Sequence, residues 1–198
     1  QSLDMGRKTC ALTLTNNTQS LPPEHNKSYE VGAKWDLLGG GLSVTQSLFN
    51  IEKTNARTLN ADGSYTLDGD VRVRGYQLGL AGHITDKWQV FGGYTYMDAT
   101  ILKALDGTTG KTPANTPRNM LTLWTTYAFT PHWEIGGGPI YTSSRYAANN
   151  NFVKVGGYTR WDAMAAYHAK KYDVQFNVLN LTDKNYYDAL IPSDGGRA

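Results

Sequence analysis

Tyr29, Val31, Ala33, Trp35 and Leu37 alternate without a break with Ser28, Glu30, Gly32, Lys34 and Asp36. Residues two apart share a face only in an extended chain, so this run predicts a β-strand with one apolar and one polar side. The period returns along most of the chain from Lys27 onward. Gly39-Gly40-Gly41 turns into a second segment opening with Leu42 and Val44, whose order slips where Leu48, Phe49 and Ile51 cannot share one face. "VRVRGYQLGLAGHI" aligns Tyr76, Leu78, Leu80 and Ile84, with an apolar parity shift at Gly75 that predicts a bulge. Further faces follow, headed by Trp88, by Leu121, by Trp133, by Trp161 and by Tyr172, the last continuing through Val174, Phe176 and Val178. About eight strands are expected, joined as consecutive hairpins.

The links narrow the choice further. After strands one, three, five and seven they are about two or three residues long, and after two, four and six about ten to seventeen. The long ones are polar and glycine-rich, as in "NADGSYTLDGD" and "LDGTTGKTPANTP". Strict alternation puts every tight turn at one end of the sheet and every long loop at the other. A soluble sandwich has little need of that, whereas an outer-membrane barrel has short periplasmic turns and long extracellular loops. Trp35, Trp88, Trp133, Trp161, Tyr29, Tyr141 and Tyr158 fall near strand ends, where a membrane boundary favours aromatic rings.

Composition excludes other classes. No window approaches the ~18 apolar residues of a membrane-crossing helix, a test to which β-barrels are blind. A net charge of +2 without any Lys/Arg run gives no footprint for nucleic acid. Cys10 is the single cysteine, so neither an internal disulfide nor a cysteine zinc site can form. Asp62, Asp68 and Asp70 do not have calcium-loop spacing, and His25, His83, His132 and His168 are too scattered for ligand spacing, so no metal site is expected. No Ser-His-Asp spacing, phosphate loop or paired carboxylates support an enzyme.

"FNVLNLTDKNYYDAL" resembles the stretch before the last strand of TonB-dependent outer-membrane receptors, in which an asparagine-rich corner precedes a tyrosine pair. "SYEVGAKWDLL", "LFNIEKTNAR", "GGYTYMDATI" and "NTPRNMLTLWTTYAF" resemble segments occurring in the same order in that family. The resemblance covers nearly the whole chain from about Leu21, and within the family it leans toward ferric-catecholate receptors.

It implies an all-β fold: a transmembrane antiparallel up-and-down β-barrel segment, about eight strands of a barrel of about 22. Residues 1–26 are then an extracellular loop or preceding barrel segment, and 27–198 the C-terminal part of the barrel without its final strand. The implied location is the outer membrane of a Gram-negative bacterium. The implied partners are ferric siderophore, membrane lipid and the TonB complex, the last through a plug and N-terminal segment outside this chain. No cofactor is implied beyond the ferric siderophore as transported ligand.

A bulky anionic aromatic ligand would meet cations and rings at the long-loop end. The candidates are Arg145 and Tyr146, with Lys103 and Lys111 in the second long loop, Arg57 in the first, and Lys154. Asn180, Asp183, Tyr186 and Tyr187 are expected to be structural, the oxygens supporting a bend and the tyrosines anchoring at the membrane interface. Two alternatives remain at this point: a self-contained eight-stranded membrane barrel serving adhesion or envelope structure, and a soluble barrel with its apolar face inward.

Overall fold

The computed structural model describes residues 24–59 and 65–188, with side chains described outside 56–68. Cys10 and Asp62 lie outside the described residues. The main strands are β1 (His25–Leu37), β2 (Leu42–Leu59), β3 (Tyr65–Thr85), β4 (Trp88–Lys103), β5 (Asn119–Ala128) and β6 (Trp133–Thr142). A two-residue pair, β7 (Arg145–Tyr146) and β8 (Lys154–Val155), precedes β9 (Tyr158–His168) and β10 (Asp173–Val178). Eight strands form one sheet in the order β1-β2-β3-β4-β5-β6-β9-β10, and β7 and β8 pair separately. Every pairing is antiparallel. The expected meander of about eight strands is therefore present, with the small hairpin inside the third long connection as an addition.

The contrast between sheet ends holds, with corrections. Only Asp86 and Lys87 separate β3 from β4, while β1 and β2 are joined through a tight helical turn, Leu38–Gly40. Gly39 and Gly40 there have φ of 68° and 94°, a region that side chains disfavour. Residues 104–118 and 143–157 make long connections, as expected. The first expected long loop is mostly strand instead, because β2 and β3 run on for 18 and 21 residues and leave only 60–64 between them.

The bulge expected at Gly75 is absent. Phe49 and Gly75 pair directly, Gly75 also pairs with Met97, and the ladder is unbroken on both sides of them. The β2–β3 register shifts lie higher, between Lys53 and Thr58, next to Asn55 with φ 58°. The parity changes have another cause. Val44, Gln46 and Leu48 share a face with Leu80, Leu78 and Tyr76, and with Gly92, Tyr94 and Tyr96. One step higher, that face carries Asn50, Arg74 and Asp98. Three neighbouring strands switch from apolar to polar at one height. Above it the apolar residues cross to the opposite face, where Ala99 and Ile101 are among the best-buried side chains described. Gly75 marks a close approach: a Cβ there would collide with the Tyr96 carbonyl and come within 2.8 Å of the Phe49 ring.

Below that height the apolar face is exposed on the edge strands and at Leu48, Trp88 and Tyr96, and half-buried at Val44, Leu78, Leu80 and Tyr94. Val31 is 69% and Phe176 68% accessible, and no side chain described is fully buried. The stripes do not pack against one another in a dry interior, which removes the soluble inward-facing barrel. Polar groups within the face are paired off: Tyr76 donates to Gln46 at 3.2 Å, Tyr94 to Asn119 at 2.7 Å, and the Trp88 indole to Thr125 at 2.7 Å. From Trp88 to Tyr96 the strand climbs about 27 Å at ~3.4 Å per residue, or about 20 Å of height at a ~40° tilt. That approaches the ~25 Å apolar band of outer-membrane barrels.

The sheet is open. Among the described residues β1 and β10 pair on one side only, so the self-contained eight-stranded barrel is not formed. Both edges keep a row of backbone groups for which a membrane offers no water.

Candidate functional site at the long-loop end

The connection 104–118 and the connection 143–157 dock on each other through asparagines. Asn151 accepts from the Thr112 N–H at 2.9 Å and donates back to the Thr112 carbonyl at 2.7 Å, the two-way bond that a carboxamide can make with the backbone N–H and C=O of one residue. Asn149 accepts from the Ala114 N–H at 2.8 Å, and the Asn115 N–H donates to the Tyr146 carbonyl at 2.8 Å. Asn115 and Asn151 have φ of 52° and 58°, where asparagine is tolerated better than most residues. The two loops therefore behave as one body at this height.

Docking arranges cations over rings. The Lys111 ammonium lies 5.5 Å from the Phe152 ring centre, and that of Lys154 lies 6.0 Å from the Tyr146 ring. Tyr146 and Lys154 face each other across the β7–β8 pair. Phe152 is 83% exposed, an unusual position for a large ring unless something else covers it.

Beneath this rim lies a polar stack on the side opposite the apolar belt. Arg145, next to Tyr146, is only 3% exposed. Its guanidinium donates to the carbonyl oxygens of Tyr187 and Asp188, tying β7 to the segment after β10. Tyr158 donates to Asp188 at 2.8 Å, and its ring stacks on Tyr186 with centroids 4.3 Å apart. Arg160 donates to the Tyr186 hydroxyl at 3.0 Å and to Asp162 at 2.8 Å. The other Asp162 oxygen accepts from the Asn180 N–H at 2.8 Å. Asn180 closes its own corner, accepting from the Lys184 N–H at 2.9 Å and donating to the Lys184 carbonyl at 3.2 Å. Asn180 and Asp183 turn the chain with φ of 54° and 47°.

The structure thus brings Lys111, Tyr146 and Lys154 together and puts Arg145 below them, sealed from solvent and already donating to backbone. Lys103 ends β4 in register with Asp70 and is in neither cation–ring pair, and the Arg57 side chain is outside those described. Tyr186 and Tyr158 lie in the inner stack, not at a membrane boundary, while Tyr187 is exposed. Sequence reasoning missed Phe152, Asn149, Asn151, Arg160 and Asp162. A phenylalanine directly after three asparagines in the long connection, within "AANNNFVKV", was the available signal for the first.

At the opposite, tight-turn end, His168 sits between Asp173 at 2.8 Å and Glu134 at 3.4 Å, and the His132 ring meets the His168 carbonyl at 2.8 Å. Among the described residues no group of three His, Cys, Asp or Glu side chains is placed to hold a metal ion.

An open antiparallel wall with an aromatic-edged apolar belt, tight turns at one end and docked loops at the other defines a segment of an outer-membrane β-barrel. Residues 6–181 match the family described as TonB dependent receptor-like, beta-barrel, and the chain belongs to it. Its members in Gram-negative bacteria are outer-membrane proteins. The chain is 37% identical over 187 residues to the probable TonB-dependent siderophore receptor PiuA of Acinetobacter baumannii, covering 88% of this chain and 25% of that protein. It is 37% identical over 184 residues to the catecholate siderophore receptor Fiu of Escherichia coli, covering 88% and 24%. The crystal structure of PiuA superposes with a TM-score of 0.82 at 37% identity, over 89% of this chain and 27% of that one. The chain spans about a quarter of the length of these curated relatives.

Proposed function

We propose that this chain forms part of the wall and outer mouth of a TonB-dependent receptor that takes up a ferric siderophore of the catecholate class. The apolar belt meets lipid, and the docked loops face the outside. The observation that carries the reading is the loop pair itself: Lys111 over Phe152 and Lys154 over Tyr146 combine positive charge with aromatic surface. A ferric catecholate is anionic and ringed, so it would answer both properties at once. Arg145 would act from below, fixing β7 under Tyr146, and not as a direct contact. Transport needs no bond made or broken in the ligand. Energy would come from the TonB complex, through a plug and N-terminal segment carried elsewhere in the full-length protein.

The test is binding of ferric tris-catecholate to the full-length protein, followed by fluorescence quenching. Lys111→Ala with Lys154→Ala is expected to weaken binding about tenfold, at roughly 0.5–1 kcal/mol for each exposed cation contact. Lys103→Ala, at the end of β4 and outside the two cation–ring pairs, is expected to leave it unchanged. Equal affinity in the double variant would remove these loops from the binding mouth.

A further inference from the structure

We propose that Asn151 is the positioning residue of the loop mouth: its carboxamide brings the Phe152 ring and the Lys111 ammonium together, and so makes one of the two cation–ring pairs that meet the ligand. The proposal deepens the reading that the docked loops hold a ferric catecholate, and it rests on that reading.

Asn151 and Thr112 are each the chain neighbour of one member of that pair, Phe152 on one side and Lys111 on the other. Their two-way bond therefore ties together the two stretches of backbone from which ring and ammonium project. On the Lys111 side the chain is anchored to the wall, because the N–H of the buried Ile101 donates to the Lys111 carbonyl at 2.9 Å. On the Phe152 side, Nδ2 of Asn151 also reaches the carbonyls of Ala148 at 3.3 Å and Asn149 at 3.2 Å. The Asn151 N–H donates to the Ala148 carbonyl as well, at 3.1 Å. One side chain thus closes its own turn and hangs that turn on the other loop. The Phe152 ring is largely exposed, so its direction is set from the backbone behind it.

The Lys154–Tyr146 pair has a different origin. Its members face each other across β7–β8, so the register of one hairpin makes it. Asn149 on Ala114 and Asn115 on Tyr146 keep the loops in touch there without Asn151. Loss of the Asn151 carboxamide should therefore release one pair and spare the other, whereas a residue that only supported the loops would loosen both. A ring and a cation on separate loops must be held before the ligand arrives, or binding bears the cost of ordering them. Asn151 does this with φ at 58°, a conformation that glycine adopts freely. Asn151→Gly therefore removes the carboxamide and keeps the turn.

The experiment is a pair of double-mutant cycles on the full-length protein, read by fluorescence quenching with ferric tris-catecholate. Asn151→Gly and Lys111→Ala are each expected to lower affinity about two- to fivefold, the loss of one exposed cation–ring contact. Combined, they should do little more than either alone, because the carboxamide acts through Lys111. Asn151→Gly with Lys154→Ala should instead multiply, to about tenfold. A second measurement needs no ligand. With isotopically labelled methyl groups on the lysines, which keep their charge, the Lys111 resonance is assigned by its loss in Lys111→Ala. It should lie upfield under the Phe152 ring and move back in Asn151→Gly, while the Lys154 resonance stays. Unchanged affinity in Asn151→Gly, full multiplication with Lys111→Ala, or an unmoved Lys111 resonance overturns the positioning role alone. Equal coupling to both lysines, or movement of both resonances, makes Asn151 a general support and overturns it too. Affinity indifferent to both lysines sinks the mouth reading beneath it, and leaves Asn151 no ligand to position for, even where the resonance moves.

Discussion

The belt of β2, β3 and β4 and the docked loops above it are held by opposite means. In the belt, the backbone ladder does the holding: β2–β3 register is continuous from Leu42 to Lys53, and the side chains of the apolar face are half-buried or exposed. In the loop end the ladder is short, two residues in β7 and β8, and the carboxamides of Asn149 and Asn151 with the guanidiniums of Arg145 and Arg160 make the long-range contacts, the last to the Tyr186 hydroxyl. A wall that must tolerate an oily surround can spare its side chains, whereas a mouth must fix particular groups in space and commits side chains to it. Mutations should therefore act by face in the belt and by individual partner in the loops.

The largest effect is expected where a charge enters the belt. Leu78→Arg should destabilise the full-length protein by about 2–4 kcal/mol, while Gln77→Arg, one residue along on the opposite face, should cost less than about 1. Denaturant titration in lipid vesicles measures the pair, and equal costs would break the distinction between faces. Next comes Asp162→Ala, which strips Arg160 of its carboxylate and leaves the Asn180 N–H unpaired at a site where the aspartate is 7% exposed. A loss of about 2–3 kcal/mol is expected, with faster exchange of the Asn180 amide. If exchange there stays slow, the inner stack does not hold the corner.

Asn151→Ala removes the two-way bond to Thr112 and should cost about 1–2 kcal/mol locally. Uncoupling of the loops would then show as faster amide exchange at Thr112 with the belt strands unaffected. Asn150→Ala in the same run should do less, since its carboxamide accepts from the N–H of Phe152, two residues along, and so ties no second loop among the described residues. Smallest is Lys154→Ala alone, expected to lower affinity for ferric tris-catecholate two- to fivefold, at roughly 0.5–1 kcal/mol for one exposed cation–ring contact.

The belt was legible because alternation is a local signal, and Tyr29 through Leu37 carry it in one unbroken run. Gly75 was misread for a physical reason. A change of apolar parity along one strand can mean either an extra residue in the ladder or a change of surroundings, and one strand cannot tell the two apart. Register across β2, β3 and β4 can, because an environmental boundary falls at the same height on neighbours and a bulge need not. The loop end was legible only in part. Cations and rings expected at the long-loop end pointed to Lys111, Tyr146 and Lys154, but the contact that assembles them joins residues 39 apart in sequence. Likewise Arg145 looked available beside Tyr146, and its burial depends on carbonyls 42 and 43 residues downstream. No periodicity encodes such pairings.

The central claim is that the face bearing Tyr76, Leu78 and Leu80 meets hydrocarbon and leaves it at Arg74. Spin labels placed singly at positions 73 to 80 of the full-length protein in vesicles test it, by comparing relaxation by dissolved oxygen with relaxation by a water-soluble nickel complex. Oxygen should dominate at 78 and 80, the balance should tip at 76, and nickel should dominate at 74. Nickel dominance at 78 and 80, or no difference between even and odd positions, would contradict the account.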